Sequence, residues 1–255
     1  MRRALLGISL VLACGGRKID YTKAKLEDIY RPFDLKSGIV KYKYTGEIEG
    51  VQELYFDDYG WKQVIYYNKM PKHGAKHELE GLDIITPERI VSIDLYKKKG
   101  SVRPNMFIKI FRQLWEMMPP EKKKELGPKI EKFSKEMNIG LAYRDLIVNL
   151  TAESGIKKRI AGRQCEVYKL QGQPLRIFLW KKMVLGTELV KGGKVIRMEA
   201  TEVKENAQIP PEKFDWKTWC PDAQLKEYTE DSLYVKNERI FVTQLLNHYL
   251  GISKF

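Results

Sequence analysis

Few residues in this 255-residue chain have the type and spacing that chemistry requires. His73 and His77 stand four apart, the spacing that puts two metal ligands on one helical face. Pro71 and Gly74 argue against a helix there and no third ligand accompanies the pair, so it reads as a polar loop. Asp57-Asp58 precedes Tyr59-Gly60 and reads as a turn, because aspartate bonds its own local backbone, rather than as a catalytic dyad. The third histidine, His248, is remote in sequence, and scattered histidines offer little for general-base or triad work. The sequence contains no phosphate-cradling glycine loop, dinucleotide fingerprint, nucleophile elbow or zinc spacing. The expectation is a non-enzyme without metal or cofactor; the abundant carboxylates keep an envelope hydrolase with paired acids as a third alternative. The rest is cysteine chemistry. Cys165 and Cys220 are an even pair once Cys14 is set aside. A bridge between them would close a long loop, worth roughly 4 kcal/mol in the chain-entropy model. Two independent buried thiols are the other reading, and both stay open.

Cys14 ends a segment with its own logic. Met1-Arg2-Arg3 is followed by the apolar run ALLGISLVLA and then by Cys14-Gly15-Gly16. A basic start, about ten apolar residues and a small residue before the break have the order of a secretory signal peptide. The run is too short to span a bilayer, which takes roughly 20 apolar residues. Val11-Leu12-Ala13-Cys14 resembles the lipobox of bacterial lipoproteins. The resemblance implies that residues 1–13 are removed and that Cys14 becomes the multiply acylated first residue, holding the protein to a membrane. Gly15 in place of an aspartate implies sorting to the outer membrane where the species has one. Losing Arg2 and Arg3 takes the formal charge from +13 to +11. The basic residues are dispersed in short clusters such as Lys97–Lys99 and Lys122–Lys124, with no nucleic-acid motif beside them. Anionic lipid, at about 1 kcal/mol per apposed Lys or Arg, is the more natural partner of an anchored basic surface.

The elements that must position everything else are strands. Ile160–Val203 reads as a meander of short apolar runs punctuated at Gly172–Pro174 and Gly192-Gly193. In the third run Met183, Leu185, Thr187 and Leu189 share a face; in the second, Phe178 and Trp180 oppose Leu175, Ile177 and Leu179. A strand apolar on both faces needs cover on both, or lines a cavity. An earlier meander runs through Ile39–Thr45, Val51–Phe56, Trp61–Tyr67, Leu82–Ile85 and Arg89–Leu95. Between the two the period changes: Met106, Phe107, Ile110, Phe111, Leu114, Trp115 and Met118 recur at helical spacing after Pro104-Asn105. Leu126, Ile130, Phe133 and Met137 repeat the stripe. Leu141–Leu150 is expected to be short and partly helical, and Arg239–Leu250 to be a terminal helix.

The fold class expected is therefore α+β. A curved antiparallel sheet, an incomplete barrel, carries amphipathic helices over its concave face. Residues 14–37 are a tether, 38–221 the sheet domain with a helical insertion at 104–138, and 222–255 a helical tail. A hydrophobic cavity is expected between sheet and helices, lined by Tyr42, Tyr66, Phe107, Phe111, Trp115, Phe178 and Trp180. GVQELYFDDYG at Gly50–Gly60, RIVSIDL, IAGRQCEVYKL, and LWKKMVLGTELV with MEATEVKENAQIPPEKFDW are together similar to the LolA-like outer-membrane lipoprotein-sorting proteins and their lipoprotein relatives. That resemblance implies the same half-barrel, with acyl chains on its concave face and an envelope location. The rival expectation is an envelope component that uses the fold to bind a protein, with a filled interior and an exposed apolar patch.

Overall fold

The computed structural model describes residues 19–72, 78–142, 150–170 and 172–251. Cys14, His73 and His77 lie outside the described residues. Twelve strands form one sheet: β1 (Gly38–Gly46), β2 (Ile48–Asp57), β3 (Lys62–Pro71), β4 (Leu79–Ile85), β5 (Arg89–Asp94), β6 (Lys99–Pro104), β7 (Leu150–Ile160), β8 (Arg163–Leu170), β9 (Leu175–Trp180), β10 (Met183–Lys191), β11 (Lys194–Glu205) and β12 (Gln224–Glu227). Their order is β12-β6-β5-β4-β3-β2-β1-β11-β10-β9-β8-β7, so the sheet is open, and the two meanders join side by side through β1 and β11. Among the described residues every pairing is antiparallel except β12 on β6. Segment 222–255, expected as a tail outside the sheet domain, thus supplies the strand that covers one edge.

The five strands β7–β11 curl until β7 meets β11 across three intervening strands. Lys158 of β7 pairs with Glu199 of β11, and Arg163 with Glu205 at 2.8 Å. Gly186 on β10 permits this: a Cβ there would lie 3.0 Å from Ile160 Cδ1 and 3.1 Å from Phe178 Cδ2. The inside of the curl is packed solid with Ile160, Cys165, Val167, Phe178, Met183 and Leu185.

Four helices lie together: α1 (Leu26–Ile29), α2 (Met106–Met117), α3 (Pro120–Ala142) and α5 (Leu233–Leu250). Asn105 starts α2 as its cap, its side-chain oxygen accepting from the Ile108 N–H, and donates its amide to Thr86 O at 2.8 Å. Most of the wide apolar stripe of α2 is used within this layer, where Phe111, Leu114 and Trp115 meet Leu26, Ile130 and Leu246. The opposite face of the sheet is closed differently. A 3-10 turn at Pro211–Phe214 and α4 (Trp216–Trp219) bring Phe214, Trp216 and Trp219 over Val64, Leu82, Ile84 and Val91. No helix among the described residues is long and apolar enough to cross a membrane.

Candidate functional site

A cavity of about 1140 Å³ remains between the sheet and the helices. Alternation dictates its sheet wall: Gln63, Ile65, Tyr67 and Lys69 of β3 point into it, and Val64 and Tyr66 away. The register extends that wall sideways. Ile65 sits opposite Leu54 of β2 and Asp83 of β4, and Tyr67 opposite Gln52, which in turn faces Tyr42 of β1. The strand path from Gln63 to Lys69 makes the wall about 20 Å long.

The facing wall is helical. Phe107 and Ile108 contribute from the first turn of α2, but most of it is α5, through Tyr234, Glu238, Phe241, Val242 and Leu245. This spacing is one stripe of α5. Val235, Val242, Leu246 and Leu250 form a second, buried against the other helices, so α5 is apolar on two sides. An ion pair fixes it to the sheet: Arg103 of β6, 4% exposed, donates to both carboxylate oxygens of Glu238 at 2.5 and 2.6 Å.

The two ends of the cavity differ. Near the β2–β3 turn it is aromatic, with Tyr30 edge-on to Trp61 at 5.7 Å and Phe33 beside Gly60. Gly60 has φ +87, and a Cβ there would come within 2.6 Å of the Phe33 ring, so this corner requires glycine. Burial pushes the Tyr30 hydroxyl well above the usual phenol range. The far end holds Lys69, with its Nζ 4.5 Å from the ring centroids of both Tyr44 and Tyr67. Burial holds the Lys69 pKa below the ordinary lysine value, partly offset by the Asp83 charge.

Of the seven residues expected to line the cavity, Tyr42 and Phe107 do. Tyr42 is also anchored, its hydroxyl donating to Val184 O at 3.0 Å across β11. The other five are elsewhere. Tyr66 faces the opposite side of the sheet, stacked on Trp219 at 5.9 Å and donating to Glu80 at 2.7 Å. Phe111 and Trp115 are helical core, and Trp115 Nε1–H donates to Ala24 O at 2.9 Å. Phe178 and Trp180 belong to the filled curl, where Lys158 lies over the Phe178 ring and Arg163 and Lys181 flank Trp180. The second face of their strand is covered too, as Leu175, Ile177 and Leu179 are buried in a separate cluster. Cys165 and Cys220 are both free and buried. The first sits inside the curl; the second lies beside Asp222, just before the strand at the opposite end of the sheet. They form no bridge.

Among the described residues no group of three or more His, Cys, Asp or Glu is placed to hold a metal. No family model matches the chain, and no curated protein matches it. Among solved structures it is similar to an uncharacterized conserved protein from Thermus thermophilus, at 11% identity and TM-score 0.44, over 80% of this chain and 97% of that one. It is more loosely similar to a β-barrel-like protein of the domain of unknown function DUF1849 from Brucella abortus, at 11% identity and TM-score 0.28, over 69% and 100%. LprF from Mycobacterium bovis stands at 10% identity and TM-score 0.29, over 75% and 96%. Such distant likenesses transfer no activity.

Proposed function

We propose that the protein is a lipid-binding component of a bacterial cell envelope, anchored through an acylated Cys14 and holding an acyl chain in the cavity between its sheet and α5. The observation that carries this reading is the cavity itself. Ligand sites run to about 300–1,000 Å³, mostly apolar with a few placed polar groups; this one, about 1140 Å³, is slightly larger and has such a lining. Its wall of about 20 Å exceeds the roughly 15 Å that one leaflet of acyl chains occupies, half of a hydrocarbon core of about 30 Å. An open curved sheet with helices over one face is also the architecture that the resemblance to LolA-like lipoprotein-sorting proteins implies. Lipid or lipoprotein trafficking is the process such a carrier serves. A filled interior was one mark of the rival, protein-binding reading, and the open space between sheet and α5 speaks against it.

The test is titration of a fluorescent fatty-acid probe against wild type and Ile65→Trp, which narrows the middle of the sheet wall. Saturable binding that weakens at least tenfold in the variant, with the denaturation midpoint kept, is the expected result. No saturable binding to wild type would end the carrier reading.

A further inference from the structure

The cavity has a chemical direction, and Lys69 gives it. One end is aromatic, and its lysine, Lys182, is paired with Asp34 at 2.9 Å; the other end is the Lys69 ammonium, with no carboxylate within ion-pairing distance among the described residues. Its cage is fixed by its own neighbours. The Tyr44 hydroxyl donates to Gln52 Oε1 at 2.8 Å, which sets the plane of that ring. The Tyr67 ring lies over Gly81, where a Cβ would come within 2.3 Å of its Cζ, so the strand has been cleared to seat it. A cation held between two aromatic faces keeps much of its charge unanswered, since ring quadrupoles attract it without neutralising it. Asp83, on the same wall, attracts Lys69 through space but makes no ion pair with it, and its carboxylate accepts from Ser92 at 2.5 Å. A half-buried, unpaired ammonium facing a cavity of this size is a natural partner for a ligand anion.

We propose that Lys69 is the head-group site of the cavity and receives the acidic head of a single-chain amphiphile whose tail runs along β3 toward Trp61. This rests on the acyl-binding reading above and names its ligand class. The Tyr44 and Tyr67 rings hold the ammonium in place while its charge-assisted hydrogen bond forms with the carboxylate or phosphate.

The experiment compares palmitate with hexadecanol, equal in chain length and different in head, by calorimetric titration of wild type, Lys69→Met and Lys69→Arg. Far-UV circular dichroism checks that all three are folded. Wild type should prefer the acid at least tenfold. Lys69→Met should lose that preference while keeping its affinity for the alcohol, and Lys69→Arg should restore most of it. Sodium phosphate and sodium acetate should fail to displace palmitate; displacement at millimolar concentration would make this a simple anion site and overturn the proposal. Equal binding of acid and alcohol by wild type, or an acid preference retained in Lys69→Met, overturns it while leaving the cavity reading intact. Binding of neither ligand overturns both.

Discussion

Replacing Trp115 with alanine separates the two roles its helix could play. Trp115 is 1% exposed and packed wholly within the helical layer, so the indole is core rather than cavity lining. Large-to-small changes of this kind cost about 3–5 kcal/mol. Two local terms push the value to the upper end. The Nε1–H bond to Ala24 O is lost, worth about 1 kcal/mol net, and the carbonyl loses its partner. The contact with the Lys123 ammonium, 5.4 Å from the ring centroid, goes as well. Trp115→Ala should therefore be destabilised by about 4–5 kcal/mol, and Trp115→Phe, which keeps most of the burial, by about 1–2 kcal/mol. The assay is urea denaturation followed by far-UV circular dichroism, with the slope checked for constancy. At a urea concentration where the variant is still folded, its affinity for the fatty-acid probe should equal that of wild type. A loss below about 1.5 kcal/mol together with weakened probe binding would refute the assignment and return α2 to the role of cavity cover.

Three more outcomes are expected. Glu238→Ala leaves the buried Arg103 guanidinium unpaired and should cost about 3 kcal/mol, with faster hydrogen exchange in α5; unchanged exchange there would mean that packing alone holds the helix. Burial raises the pKa of Tyr30 and Tyr55, and burial with the Glu80 bond brings Tyr66 to about 12. The stability these phenols contribute is complete below their unfolded value near 10 and is lost as pH rises through the folded values, so tyrosinate absorbance should show late-titrating groups that appear together with unfolding. Alkylation without reductant should modify neither Cys165, whose thiol burial pushes up to about 11, nor Cys220 while the protein is folded. Both should react on unfolding, and a mass showing them oxidised would restore the bridge.

The strands were legible because their runs are bounded by glycine and proline and alternate cleanly; β1, β3, β10 and β11 fall on the expected segments. Three strands lack that signal. β6 (KGSVRP) and β12 (QLKE) carry almost no β-branched or aromatic residues and exist because neighbouring strands offer them an edge. β7 (LTAESGIKKRI) is an edge strand whose pairing slips between Ala152 and Lys157; of the segment Leu141–Leu150, expected to be partly helical, Leu141 and Ala142 end α3 and 143–149 lie outside the described residues. The cavity was half legible. Aromatic side chains mark large apolar environments, but they cannot say whether the partner is another side chain or empty space. The wide stripe of α2 looked like cavity lining and is met by α1, α3 and α5 instead. The two-sided stripe of α5, from Tyr234 to Leu250, was the signal for the true wall. Lys69 carried no signal, since a lysine at a strand end is ordinarily solvated; only the placement of Tyr44 and Tyr67 gives it meaning.

The cavity's two walls are far apart in chain order, and synthesis proceeds from one to the other. The larger part of the sheet wall has been made by Ile90, Val184 and Met198 follow on β10 and β11, and α5 begins only at Leu233. At about 5–20 residues per second, the interval is roughly 7–30 s. Throughout it the apolar face lies open and the β6 edge, later covered by β12, is free to pair with another strand. A nascent chain at this stage has the open apolar face and unpaired strand edge of an aggregation-prone intermediate, the kind of surface that chaperones cover. Nor is the cavity enclosed before α5 arrives. On the acyl-binding reading proposed above, a ligand meets both walls only once α5 has docked.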